Sequence, residues 1–215
     1  MRQNLRVMML WLALFGLSVS QAIAFGFGAY VEGAVGSGEA EIDWDWGGKT
    51  EEFDTDLSSA GFGFVMDSNL AANRVFNYRL NVGFDRLDME DEADTTLELG
   101  GLVVDNTFGF GIVRTRAFRL WLGPQVRFGF YGGETDNSGT KLDAAVFAFG
   151  LAPVLGANLN LGAHFTLSIT TGYRFLGFAG PVEWSDDSDS GDLAGNGGMA
   201  FFNVSALFRS GSDTF

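Results

Sequence analysis

The sequence predicts an all-β fold, an antiparallel up-and-down transmembrane β-barrel of about eight strands. Three observations support this prediction. Large apolar side chains recur at every second residue, phenylalanine and glycine are both abundant with 22 and 31 residues, and the N-terminus has the form of an export signal. A period of two is typical of strands, and aromatic residues that alternate with glycine suit strands whose outer face meets lipid. Beyond the N-terminus, no apolar run reaches the ~18 residues that a membrane helix requires.

The first 24 residues are predicted to be a signal peptide. Two arginines precede an apolar stretch over residues 7–17, and Ala22 and Ala24 stand at the positions that a signal peptidase recognises. Cleavage is expected after Ala24, which leaves residues 25–215 as one barrel domain. An uncleaved membrane anchor is the alternative, although the segment is short for a membrane span.

The charge and the residue types exclude several classes of partner. Removing the signal peptide takes away Arg2 and Arg6 and no acidic residue, so 11 basic and 27 acidic residues remain, a formal charge of −16. Nucleic acid is bound by clustered lysine and arginine, so no nucleic-acid partner is expected. With no cysteine and one histidine, the chain has neither thiolates nor paired histidines for a metal. No cofactor is expected.

Alternation is clear along much of the remaining chain. In one segment, Phe76, Tyr78 and Phe84 share one face, and Arg79 and Asp85 share the other. The polar faces hold Asn, Ser, Thr, Gly and single charges, which is typical of a crowded barrel interior. A soluble periplasmic β-protein is the alternative. The predicted strands are eight, with ten as the alternative count: 26–36, 57–66, 75–87, 95–112, 119–131, 144–155, 163–177 and 199–209.

Two of these segments depart from simple alternation. The fourth changes phase between Leu99 and Phe108, which predicts a β-bulge near Gly100–Gly101 or Asp105–Asn106. The fifth contains Pro124, which cannot donate a hydrogen bond to a β-ladder.

The connections between segments predict the orientation of the barrel. Long loops outside and short turns at the periplasm are the usual asymmetry of such proteins. The connections after odd-numbered segments are long and contain 21 of the 27 acidic residues, so acidic loops are expected at the cell surface. Their tryptophans, which include Trp44 and Trp184, are expected to anchor at the membrane interface or to form a ligand-binding rim. The four predicted loops are 37–56, 86–95, 132–143 and 179–198.

The charges on the polar faces predict a network inside the barrel. An unpaired buried charge costs several kcal/mol, so inward-facing arginines and carboxylates must pair. Such pairs either fill a packed core or form the constriction of a narrow conduit, and both alternatives need the same residues. The predicted network comprises Glu32, Arg79, Asp85, Glu98, Arg127 and Arg174, with His164 on the same side of its strand.

The acidic run in the fourth loop has two interpretations. It is either a solvated surface that keeps the loop soluble or a site where carboxylate oxygens bind Ca²⁺ or Mg²⁺. Divalent cations bound there could bridge the loop to anionic lipopolysaccharide. The run lacks the spacing and the closing glutamate of an EF-hand. Its candidate ligands are Asp186, Asp187, Asp189 and Asp192.

The export signal, strand count, loop asymmetry and aromatic last strand together resemble the small outer-membrane barrels typified by the OmpA transmembrane domain, OmpX/Ail and OmpW. The resemblance spans nearly the whole mature chain and includes no diagnostic motif. It implies the outer membrane of a Gram-negative bacterium, contact with lipid and lipopolysaccharide, and recognition of the last strand by the barrel-assembly machinery. Phe208 is the expected assembly signal, although Asn203 replaces an expected glycine and residues 209–215 follow.

The same resemblance implies two functions. OmpX and the OmpA barrel imply a non-enzymatic protein that presents its acidic loops for envelope integrity or surface interaction. OmpW implies a narrow, porin-like channel for small or hydrophobic molecules.

An enzyme is not expected. His164-Phe-Thr166 resembles the His-x-Ser pair of lipid A deacylases, but threonine replaces serine and Ser168 is more distant. His164 also begins a strand at the periplasmic end, whereas the acyl chains of that substrate lie in the outer leaflet.

Overall fold

The computed structural model describes residues 25–45, 48–68, 74–91, 95–137, 140–184 and 190–210. Ala24, the expected cleavage position, lies outside these residues. The described chain contains no helix long and apolar enough to cross a membrane. It forms eight strands: β1 (Phe25–Trp44), β2 (Lys49–Asp67), β3 (Phe76–Asp91), β4 (Thr96–Arg114), β5 (Phe118–Asn137), β6 (Thr140–Leu161), β7 (Phe165–Trp184) and β8 (Ser190–Ser210).

The strands form a closed ring in chain order, and every neighbouring pair is antiparallel. The ring closes between β1 and β8, where Phe27 lies opposite Phe208 and Trp44 lies opposite Gly191. The predicted eight-stranded up-and-down barrel is therefore confirmed. Closure leaves no sheet edge, so every strand has a partner on both sides for its backbone N–H and C=O groups.

The predicted long loops are wrong, because most of their residues belong to strands. β1 and β2 remain paired as far as Trp44 and Lys49, and β5 and β6 as far as Asn137 and Thr140. The chain stays paired here because inward apolar residues in these segments pack together. At 20 residues, β1 is about twice the ~9–11 residues that cross a membrane. The acidic end of the barrel is thus an extension of the sheet, with short connections.

We call the end of the barrel where β1 begins and β8 ends the lower end, and the opposite, acidic end the upper end. On the outside, an apolar belt surrounds the lower part of the barrel. The phenylalanines predicted to face lipid point outward, for example Phe64 and Phe84, which are 77% and 58% exposed. Neighbouring strands bring these rings together, and the centroids of Phe130 and Phe147 lie 5.1 Å apart. Such an exposed aromatic belt requires a lipid environment.

Above the belt, the polarity of the two faces of the sheet is exchanged: apolar side chains point inward and polar side chains point outward. Leu57, Leu87 and Leu99 point inward and are at most 2% exposed, whereas the outward neighbours of Leu99 are Glu98 and Gly100. The apolar residues of this upper part pack into one cluster inside the barrel. Water surrounds the sheet here, so the apolar face turns inward as in a soluble barrel.

This exchange explains the phase change in β4 and corrects the predicted bulge. The pairing of β3 with β4 is regular past Gly100 and Asp105. Leu99 lies inside and Phe108 outside because the surroundings of the strand change between them. The register shift that does occur lies between Gly111 and Val113, near the lower end of β4.

Pro124 faces outward on β5 and lies directly opposite Pro153 on β6. Neither residue has an N–H group, so the ladder between these strands lacks donors at this position.

Two substitutions on neighbouring residues test the exchange of faces. Leu99→Ala should lower the free energy of unfolding by about 2–5 kcal/mol, because it leaves a cavity in the packed upper interior. Glu98→Ala should change it by less than about 1 kcal/mol, since the Glu98 side chain is 57% exposed and its partner Arg86 is also on the surface. Urea unfolding of the refolded barrel measures both values. Equal effects would contradict this arrangement.

Candidate functional site

Two arginines and three carboxylates meet in the middle of the barrel. Arg127 of β5 donates hydrogen bonds to Glu32 of β1 at 2.6 Å and to Asp85 of β3 at 2.9 Å. Arg174 of β7 donates to the same Glu32 oxygen at 2.9 Å. Asp105 of β4 lies 3.6 Å from Arg127 Nε. All five side chains are at most 3% exposed.

Neutral side chains surround this central network and hold its charges in place. Gln125 accepts a hydrogen bond from Arg174 at 3.2 Å, Asn203 donates to Glu32 at 3.2 Å and Tyr131 donates to Asp85 at 3.0 Å. The Arg174 guanidinium also lies over the ring of Phe201, 4.5 Å from its centroid. Glu32 is therefore satisfied on both of its oxygens.

A second layer of polar contacts lies nearer the lower end. Arg79 of β3 forms an ion pair with Asp67 at 3.0 Å. It reaches across to β7, where it donates to Thr170 at 3.0 Å and to Ser168 at 2.9 Å. Its guanidinium lies 5.1 Å from the centroid of the Trp121 ring.

These two layers span the interior. In a ring of eight strands, β1 and β5 are diametrically opposite, as are β3 and β7. The contact of Arg127 with Glu32 and the contacts of Arg79 with Thr170 and Ser168 therefore span the full width of the barrel. An eight-stranded barrel is about wide enough to be filled by its side chains.

Two tryptophans lie at the upper mouth. Trp44 and Trp184 point inward, and their rings stack with centroids 5.9 Å apart. Both pack against the apolar cluster inside the upper barrel. The expectation that these tryptophans anchor at the membrane interface is therefore wrong, because the exchange of faces turns them inward. A ligand-binding rim stays a prediction.

The structure brings five of the six predicted network residues inside the barrel. Glu32, Asp85, Arg127 and Arg174 meet in the central network, and Arg79 lies in the lower layer. The predicted inward position of Glu98 is wrong. It points outward and pairs with Arg86 at 2.7 Å, because it lies above the belt, where polar residues face out.

The predicted inward position of His164 is also wrong. It is exposed in the turn before β7 and stacks on Phe208, with ring centroids 5.7 Å apart. Ser168, by contrast, is buried and donates to Asn158 at 2.8 Å. The two side chains therefore do not form a pair.

Two further predicted groups lie at the ends of β8. Phe208 faces outward near its lower end, beside Phe27, with ring centroids 5.8 Å apart. Asp192 is exposed near the upper end, opposite Asp43. Asp186, Asp187 and Asp189 lie outside the described residues. Within the described ranges, no three His, Cys, Asp or Glu side chains are grouped to hold a metal ion.

Sequence reasoning missed two buried acids. One predicted position of the bulge includes Asp105. In the structure, Val103, Asp105 and Thr107 continue the inward alternation of β4. The predicted second strand ends at residue 66, although Asp67 continues the inward positions of β2 beyond Val65. Extending the alternation by one or two residues would have found both.

Comparison with known proteins supports the fold. No family model and no curated protein matches the sequence. Among solved structures, the outer membrane protein OprG from Pseudomonas aeruginosa is 12% identical with a TM-score of 0.63, over 89% of this chain and 98% of that one. Neisserial surface protein A is 12% identical (TM-score 0.31, 83% and 97% coverage). The outer membrane protease OmpT from Escherichia coli is 10% identical (0.37, 89% and 99%).

Fold and surface together define the class of protein. The eight-stranded ring, its outward apolar belt and its paired interior charges are those of an outer-membrane β-barrel. The chain is an integral protein of the outer membrane.

The central network should contribute strongly to folding. Arg127→Ala leaves Glu32 and Asp85 buried without their main cation and should destabilise the barrel by about 3–5 kcal/mol. Arg86→Ala removes an arginine of the same kind from an exposed ion pair and should cost less than about 1 kcal/mol. Urea midpoints of the two refolded variants test this difference. A small effect of Arg127→Ala would mean that water, not arginine, satisfies the carboxylates.

Proposed function

We propose that the protein is a non-enzymatic, non-conducting barrel that anchors an acidic wall at the cell surface and acts in envelope integrity or surface interaction. The observation that supports this most strongly is the Arg127–Glu32 hydrogen bond of 2.6 Å between opposite strands. A side-chain bridge at full width obstructs a straight aqueous path, and Arg79 forms a second bridge below it in another direction.

The acidic wall is the outer face of the upper parts of β1 and β2. It takes the place of the expected acidic loops. On its outer face, Glu39 lies opposite Asp54 and Glu41 lies opposite Glu52, and all four are exposed. Like charges directly opposite one another destabilise a sheet. This cost supports a role for the wall at the surface, where its charge meets other molecules.

The expected partners fit this proposal. The belt contacts outer-membrane lipid and lipopolysaccharide. Divalent cations between the acidic wall and anionic lipopolysaccharide would relieve the repulsion of both. The outward position of Phe208 near the end of β8 is compatible with recognition by the barrel-assembly machinery.

A narrow channel for small or hydrophobic molecules is the second candidate. It is favoured by a depression of about 790 Å³ in the lipid-facing wall, around Pro124, Pro153 and Phe175. An apolar solute that used this depression would carry no current. Filling it by Leu155→Trp should then reduce the uptake of a fluorescent apolar probe by cells that produce the protein.

Single-channel recording tests the main proposal. The refolded mature protein, shown to be folded by its heat-modifiable migration in a gel, should give no conductance steps in planar bilayers. A porin in the same bilayers controls for sensitivity. Reproducible ion-sized steps that change in Arg127→Ala or Arg174→Ala would contradict a closed interior and favour an aqueous path through the lumen.

A further inference from the structure

Arginine side chains gather at one corner of the lower rim, where β4 ends and β5 begins. Arg114 lies directly opposite Arg119 in the pairing of these two strands. The Arg114 side chain folds back over Gly111, and its Cδ atom lies 2.9 Å from where a Cβ atom of residue 111 would stand. Arg119 Nη2 lies 3.2 Å from the same point. The two side chains therefore meet over the glycine.

The turn between these strands adds a second exposed arginine, Arg116. The turn is tight, because Thr115 N donates a hydrogen bond to Phe118 O at 2.9 Å. Two residues of chain span at most about 7 Å. The exposed side chains of Arg114 and Arg116 therefore begin close together.

The start of β3 brings a third exposed arginine to the same corner. The carbonyl oxygen of Val75 accepts hydrogen bonds from Gly111 N at 2.6 Å and from Arg119 Nη2 at 3.1 Å. Arg74 is the residue before Val75 and is exposed, whereas Arg119 is buried. The three exposed arginines, which we call the arginine corner, are Arg74, Arg114 and Arg116.

Positive charge predominates in this part of the barrel. Among the described residues below the central network, Asp67 is the only carboxylate, and it is buried in an ion pair with Arg79. Like charges directly opposite one another destabilise a sheet, and an anion bound nearby would lower the repulsion between Arg114 and Arg119. The six arginines of this part are Arg74, Arg79, Arg114, Arg116, Arg119 and Arg209.

Exposed apolar side chains border the arginine corner. Val75, Ile112, Val113 and Phe118 are next to its arginines in the chain, and all four are exposed. They continue the apolar belt down to the arginines. The corner therefore lies where the hydrocarbon of a bilayer gives way to its headgroups, a level at which long basic side chains are favoured.

We propose that the arginine corner binds the phosphate of an anionic phospholipid, whose acyl chains pack on the apolar side chains beside it. Guanidinium groups form charge-assisted, bidentate hydrogen bonds with phosphate oxygens. Basic side chains above apolar ones match the two parts of such a lipid. The acidic wall has the opposite charge and would repel the same headgroup. This site does not depend on whether the barrel conducts.

The lipid selectivity of the refolded mature barrel tests the proposal. Native mass spectrometry measures the binding of phosphatidylglycerol, which is anionic, and of phosphatidylcholine, which has no net charge, in the same detergent. Phosphatidylglycerol should bind at least about tenfold more tightly. Arg114→Gln combined with Arg116→Gln should remove most of this preference, since each basic residue near a membrane surface strengthens binding about fivefold.

Lys49→Gln combined with Arg86→Gln is the matched control. It removes two exposed cations from the upper end, so both double variants have the same net charge. The control should keep the preference for phosphatidylglycerol. All four replaced side chains are exposed, and heat-modifiable migration in a gel shows that each variant is folded.

Urea midpoints in phosphatidylcholine vesicles, with and without phosphatidylglycerol, provide a second readout. The anionic lipid should raise the midpoint of the natural chain and of the control, but not that of Arg114→Gln with Arg116→Gln. Equal binding of both lipids by the natural chain, or an equal loss of preference in both double variants, would overturn the proposal. An increment that inorganic phosphate removes, while chloride at equal ionic strength does not, would identify a soluble anion as the ligand and also overturn it.

Discussion

The sheet has to meet two solvents along every strand, and the rest of the structure follows from this constraint. In lipid, the outer face must be apolar, so polar residues such as Asp85 and Arg127 go inside and must satisfy one another. In water, the outer face is charged and residues such as Leu57 and Leu99 go inside. One continuous barrel therefore has a polar core below and an apolar core above.

Side chains cross the polar core because its charges must pair and the barrel is narrow. Arginine is long enough to reach a carboxylate on the opposite strand, as Arg127 reaches Glu32, and its planar group serves two partners at once. The same contacts that neutralise the buried charges thus span the lumen. The pairing of the buried charges and the side-chain bridges across the barrel therefore have one cause.

Much of the fold was predictable because alternation and aromatic content depend only on local sequence. Strand count and the lipid-facing residues follow from them. The exchange of faces was not predictable from a rule that assumes one environment for a whole strand. That rule predicts Glu98 inside the barrel and loops in place of the upper strands. Pairing across the barrel also depends on ring closure. No single strand reveals that Arg127 meets Glu32 or that Asp105 joins them.

Cysteine accessibility along β2 tests the exchange of faces most directly, because the natural chain has no cysteine. Glu52→Cys, Leu57→Cys and Phe62→Cys are refolded into lipid vesicles and treated with a water-soluble maleimide, with urea-unfolded samples as the control for intrinsic reactivity. The account predicts rapid labelling at 52, where the side chain is exposed to water, and slow labelling at 57 and 62, which face the packed interior and lipid. Rapid labelling at 57 would contradict a closed interior, and rapid labelling at 62 would contradict the position of the belt.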